Sequence, residues 1–322
     1  MTPFLHAAAR CRWALPALVA LGFAFSLACE FFPIFNDYTK VVLMTIGINI
    51  ILCASLNLVN GYMGEFSVGH AGFMSLGAYA SAVMVIKWLP STPLELPLAI
   101  LFGGSIAAII GLPLALISFN TRGDYLAIIT LAFLMIVKSA FENIGYVGGP
   151  RGMTPPVLTN MPWTFFWVVV TLWVIRNLVY SRFGRAIIAI REDEIAANAM
   201  GVRTREAKIL AFVISSFFGG VAGALYAQLN FFIDPRSFDI VKSTEILVMV
   251  YLGGIASLSG SVLGAVIFTV LMQVLQPIGT WRMVVLPLIL VLLMLFRPRG
   301  IMGLRELAWF LPWRELKKER GS

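Results

Sequence analysis

Residues able to carry chemistry are few in this chain, and their spacing rules out most of it. The two histidines, His6 and His70, lie far apart, so imidazole-based acid–base or metal chemistry has little to work with. The three cysteines (Cys11, Cys29, Cys53) show no C-x-x-C spacing, and their odd count implies neither a disulfide framework nor a metal knuckle. No H-E-x-x-H or G-x-S-x-G occurs. No G-x-x-x-x-G-K-[ST] occurs either, so the chain has no P-loop for ATP phosphates. The expectation is a non-catalytic protein that holds no metal and no cofactor of its own. Two other kinds of stretch remain: one dense run of charge, and two segments punctuated by glycine and serine.

The charged run is Gly184–Lys208, GRAIIAIREDEIAANAMGVRTREAK, flanked on both sides by long apolar segments. Asp193 and Glu194 suit a helix N-terminus, where carboxylates meet the positive end of the peptide dipoles. Ala196, Ala197 and Ala199 favour helix, and Gly201 is placed to stop it. This predicts a short helix of about two turns, on the order of 12 Å, ending at Gly201 and preceded by Arg185, Arg191 and Glu192. Its mixed charge suits a groove on another protein better than an anionic lipid surface. A loop that only sets topology is the plainer alternative.

The glycine-rich segments are GYMGEFSVGHAGFMSLGAYASA (61–82) and LGGIASLSGS (252–261). Both regions carry Tyr, an apolar residue and Gly, then Ser and Gly, then Gly-Ala. Paired glycine-broken apolar segments of this kind point to a transport pathway. Gly61, Gly64, Ser67, Gly69, His70 and Gly72 are its candidate residues in the first half, and Gly253, Gly254, Ser257 and Gly260 in the second. The competing reading is close helix packing alone, which small residues also serve in bilayers. His70 fits either a polar pathway residue or a hydrogen bond between helices. Glu65 falls near the cytoplasmic end of its span, and Lys138 and Glu142 have the i, i+4 spacing of a pair on one helix face.

The elements that must position these residues are membrane helices. Of the 322 residues, 59% are hydrophobic and only 12% charged, and the mean hydropathy is +0.89, against about 25% charge in soluble domains. Apolar stretches long enough to span recur throughout, predicting an all-α polytopic bundle of about 8–10 spans in a single domain, 1–322. Spans are expected near 13–35, 40–59, 66–88, 94–118, 124–143, 163–180 and 208–230, then a glycine-broken segment at 244–276 and a last helix at 282–297. The run at 13–35 is longer than a signal-peptide core and reads as a retained helix. Placing both termini, the 120–124 turn and the 181–208 loop in the cytoplasm puts most of the 24 Lys and Arg there. Parity then requires the 244–276 segment to cross an even number of times. It is too short for two full spans, so a re-entrant pair of half-helices breaking at Leu252–Ser261 is expected.

Several motifs together carry a family resemblance. The charged segment resembles the coupling loop of ABC-importer permeases. GRAIIAIREDEIAANAMGV, AFVISSFFGGVAGALYA (211–227), GYMGEFSVGHAGFMSLGAY, GDYLAIITLAF (123–133), SFDIVKSTEILVMVYLGGIASLSGSVLGA (237–265) and FRPRGIMGL (296–304) are similar to the LivM-like branch of the branched-chain amino acid permeases. The similarity covers roughly residues 40–304. Glu194 stands one place further from Gly201 than the general E-A-A-x-x-x-G pattern has it, and VGGPRGM (147–153) departs from the family's usual T-G-G-x-x-G-[LI]. The resemblance implies an inner-membrane permease subunit. Its partners would be a homologous second permease, two ATP-binding subunits that hold the ATP, and an extracytoplasmic substrate-binding protein. No nucleic acid is implied. Leucine, isoleucine and valine are the default cargo, with urea, short amides or other small carboxylates as alternatives in the same family. The rival classes are an ion-coupled secondary transporter and a membrane scaffold or receptor subunit.

Overall fold

The computed structural model describes residues 36–88, 94–119 and 125–276, with isolated positions from 22 to 30 and from 279 to 306. The spans expected at 13–35 and 282–297 and most of the basic tail lie outside the described residues. The remainder is helical, apart from connecting loops and an isolated antiparallel bridge between Met153 and Ile233.

Six described helices are long and apolar enough to cross a bilayer. In chain order they are α1 (Asp37–Asn57, continued by a π turn Leu58–Tyr62), α2 (His70–Val83, continued to Trp88), α3 (Glu95–Ser118), α4 (Tyr125–Asn143), α5 (Met161–Val179) and α8 (Thr204–Leu229). Between α5 and α8 come α6 (Arg182–Glu192) and α7 (Glu194–Ala199), and α9 (Ile240–Gly253) and α10 (Leu258–Val274) follow. Helices are the form in which a chain without water satisfies its own backbone. The apolar windows of α1, α2 and α8 are 72%, 72% and 67% buried, against 33%, 28% and 33% for α3, α4 and α5. The first three therefore form the inner shell, and the others present faces such as Ile109, Ile117, Ile128, Ile136 and Trp173 outward.

The inner shell is held by backbone proximity. A Cβ on Gly77 of α2 would run into the Gly220 carbonyl of α8, and one on Gly223 into the Met74 carbonyl. A Cβ on Gly103 of α3 would meet the Gly77 carbonyl at 2.7 Å. Apolar surface alone does not bring helices together in lipid, so such small-residue contacts supply the packing.

The glycine-broken segment forms an antiparallel hairpin. Gly253 abuts Gly260 and Met249 abuts Gly264, a register that carries Asp239 level with Val274. Both ends of the hairpin thus lie at one end of the bundle, as parity requires, and Tyr38 at the start of α1 bonds Gln276 there at 3.1 Å. The break at 254–257 falls inside the predicted stretch, with Gly254 at φ +135° and Ala256 at φ 58°, and the two arms are about 21 and 26 Å long.

Three expectations are corrected. The span predicted from 66 starts only at His70, because residues 64–69 run non-helically into the bundle, with the Val68 N–H donating to Thr130 Oγ1 at 3.1 Å. Lys138 pairs with Asp239 at 2.9 Å rather than with Glu142. Most of the 181–208 loop is ordered as two helices, because Gly184, Ile187 and Ile190 recur at helical spacing and bury one face of α6.

Candidate functional site

The predicted short helix is α7. The Asp193 side chain caps it, accepting from the backbone N–H groups of Ile195 and Ala196 at 2.9 Å each. It ends in a Schellman turn: the Gly201 N–H donates to the Asn198 carbonyl at 3.0 Å and the Val202 N–H to Ala197 at 3.1 Å. That turn requires a left-handed residue, and Gly201 has φ +83°. Ala197 is buried beneath the helix, whereas Ile195 and Met200 are 82% and 85% exposed. Arg185 and Glu192 are also exposed. This six-residue helix and its C-cap thus turn two apolar side chains outward among charges.

Underneath, α7 is tied to the first glycine-rich segment. Lys208 of α8 is 6% exposed and donates to Glu65 Oε1 at 2.6 Å and to Glu194 Oε2 at 2.9 Å. Arg191 reaches the Gly61 carbonyl at 3.4 Å through Nη1, and its Nη2 pairs with Glu192 at 2.6 Å. The Arg191 side chain also lies over Gly64, where an added Cβ would meet its Cγ at 2.6 Å. Glu194 is therefore an internal partner of α8.

The two glycine-rich segments meet each other as well. The Asn57 amide donates to the Ser257 carbonyl at 2.9 Å and to Ser261 Oγ at 2.8 Å, and its oxygen accepts from the Ala256 N–H at 3.0 Å. Gly61 packs directly on the Ala256 backbone. Asn60 closes the intervening loop by exchanging bonds with the Ser67 backbone. Non-helical backbone inside a membrane bundle needs such internal partners, and Ser257 supplies another by capping α10 through the Gly260 N–H at 3.0 Å. Gly69 and Gly72 lie deeper, against Thr130 and Phe133 of α4. His70 is 2% exposed, bonded to Ser55 Oγ at 2.8 Å and set beside Gly219. Gly253, Gly254 and Gly260 form the tip and flank of the hairpin.

Asn57, Lys208 and Glu306 are the participants that sequence reasoning did not single out. Asn57 had a signal, a polar side chain near the end of an apolar run. Glu306, which lies against the hairpin tip, had none. Among the described residues no three His, Cys, Asp or Glu side chains are grouped to hold a metal.

A family model described as the branched-chain amino acid transport system permease component matches residues 38–295. The chain belongs to this family. It is 32% identical over 291 residues to the high-affinity branched-chain amino acid permease protein LivM of Escherichia coli K12, covering 79% of this chain and 68% of that one. The corresponding LivH protein of Salmonella typhimurium is 26% identical over 283 residues, 80% of this chain and 91% of the relative. The nucleoside permease protein NupC of Lactococcus lactis is 28% identical over 187 residues, 51% of this chain and 59% of that one. No solved structure matches. The permease resembles both LivM and LivH, each named as a permease protein of a high-affinity branched-chain amino acid transport system.

Proposed function

We propose that this permease is one half of the membrane pathway of an ATP-driven importer for leucine, isoleucine and valine. It pairs with a second, homologous permease, takes its drive from two ATP-binding subunits and receives cargo from an extracytoplasmic binding protein. Both termini and the α6–α7 segment face the cytoplasm of a bacterial inner membrane. The observation that carries the reading is the double character of α7: Ile195 and Met200 are open to a partner, while Glu194 is bound through Lys208 to Glu65. A push on α7 by a closing ATP-binding subunit thereby reaches the Gly61–Gly69 segment through fixed polar contacts, in addition to α5 and α8. That segment abuts the α9–α10 tip, so the pathway candidates lie one contact away from the input.

The test is affinity capture of the tagged chain from its native membrane, followed by labelled-leucine uptake in the recovered assembly. Co-purification of ATP-binding subunits and ATP-dependent uptake are expected. Exchange of both Asp193 and Glu194 for lysine should leave expression intact and abolish uptake; normal uptake in that variant removes the role of α7. The similarity to a nucleoside permease supports one other cargo class, and uptake of labelled nucleoside in place of leucine would select it.

A further inference from the structure

The carboxylate of Glu306 has four donors. Oε1 accepts from the Leu258 N–H at 2.6 Å and from the Tyr62 hydroxyl at 2.8 Å. Oε2 accepts from the Ser259 N–H at 3.2 Å and from the Ser259 hydroxyl at 3.0 Å. One side chain of the tail thus joins the end of α1 to the start of α10. Backbone contacts fix its approach: the N–H groups of Ile301 and Met302 donate to the carbonyls of Leu252 and Gly253, both at 3.0 Å. Those carbonyls close α9 and the amides of Leu258 and Ser259 open α10, positions whose backbone groups have no partner within their own helix. The negative charge also meets the positive end of the α10 dipole. A single tail segment therefore satisfies both broken ends of the hairpin.

Directly behind this contact lie the Asn57 bonds and the Gly61–Ala256 packing that hold the two glycine-rich segments together. One turn along α1 from Asn57, on the same face, is Cys53, which is fully buried. Asn57 on this face bonds the same hairpin tip that Glu306 holds.

We propose that Glu306 is a latch on the cytoplasmic end of the pathway. It clamps the hairpin tip to Tyr62 in the closed state and leaves these donors when the two glycine-rich segments part. The proposal rests on the permease reading above and adds to it a gating role for Glu306. A static helix cap would stay in place through the transport cycle, whereas a latch exchanges.

Cys53 is a built-in reporter. In assembled transporter in inside-out vesicles, with Cys11→Ser and Cys29→Ser, its rate of modification by N-ethylmaleimide is measured without nucleotide and in an ATP-trapped state. The unmodified latch should give rates at least 5-fold apart in the two states. Glu306→Ala should label at the faster rate in both, and Tyr62→Phe should narrow the difference. Glu306→Gln keeps the shape and one acceptor and is expected between the two, which covers the case in which the alanine variant folds poorly. Equal rates in the two states of the unmodified chain overturn the latch, as does full state dependence in Glu306→Ala and Glu306→Gln. Failure of ATP-binding subunits to co-purify strikes the assembly reading instead. The latch is then decided without nucleotide, where an unchanged Cys53 rate in Glu306→Ala overturns it.

Discussion

Replacing Lys208 with methionine separates the ionic link beneath α7 from ordinary packing, because the side chain keeps its length and loses its charge. The Lys208 side chain is 8% exposed, while its partners differ: Glu65 is 23% exposed and Glu194 51%. Removing one member of a buried pair costs about 3–5 kcal/mol because the other is left uncompensated. Glu65 keeps some access to water, so Lys208→Met is placed at the low end, about 3 kcal/mol. Glu65→Gln leaves Lys208 one charged partner and should cost about 1.5–2 kcal/mol, the worth of a charge-assisted hydrogen bond. Glu194→Gln, at a half-exposed site, should cost under ~1 kcal/mol. The Lys208→Met, Glu65→Gln double variant buries no unpaired charge and should be less destabilised than the sum of its parts by about 1.5 kcal/mol or more. Thermal melting of the detergent-solubilised assembly measures all four, and leucine uptake per ATP hydrolysed measures coupling. The functional order should be the reverse for Glu194, with little lost stability and a large loss of uptake per ATP. Additive losses for Lys208 and Glu65, or unchanged coupling in Glu194→Gln, would refute this account of the link.

Three further outcomes follow from the geometry. Nothing lies within 4 Å of a Cβ built on Gly201, so only its positive φ restricts it; Gly201→Asn should retain uptake, and Gly201→Val should lose about 1–2 kcal/mol of local stability and most uptake, read as ATPase activity without transport. At Gly77 space is the limit, and Gly77→Val should prevent α2 from seating on α8 and abolish recovery of folded chain in detergent, whereas Gly145→Ala, in open space, should match the parent. Lys138 holds the Asp239 carboxyl below its ordinary value of 3.8. The pair therefore stabilises fully above the unfolded carboxyl range, and its contribution is lost as pH falls through the lower folded value. The melting difference between the parent and Asp239→Asn should be flat above pH about 5 and close below it.

Much of the scaffold was legible because lipid leaves a chain few choices. Apolar runs of sufficient length gave the six described spans within a few residues, and Asp193, the alanines and Gly201 located α7 by capping chemistry that acts within one turn. Parity anticipated the hairpin and Leu252–Ser261 its break. Long-range pairing was not legible. Lys138 had a local partner at i+4 and a distant one in Asp239, and only the fold chose between them. Glu194 reads as a residue of a helix N-terminus, and nothing in its neighbourhood signals that Lys208 returns beneath it. The start of α2 was missed because Phe66 and Val68 extend its apolar run backward, and bonds to Asn60 and Thr130 hold this stretch outside the helix.

The glycine contacts among α2, α3 and α8 have a mechanical consequence. At Gly77, Gly103, Gly220 and Gly223 the backbones come together with little side chain between them. The α8 helix, which meets both α2 and α3 in this way, has 26 residues and is about 39 Å long. A tilt of about 5° imposed at the Lys208 end would shift the other end by about 3 Å at that length. Leverage of this size could turn a small displacement at the membrane surface into one comparable to a water molecule at the far end.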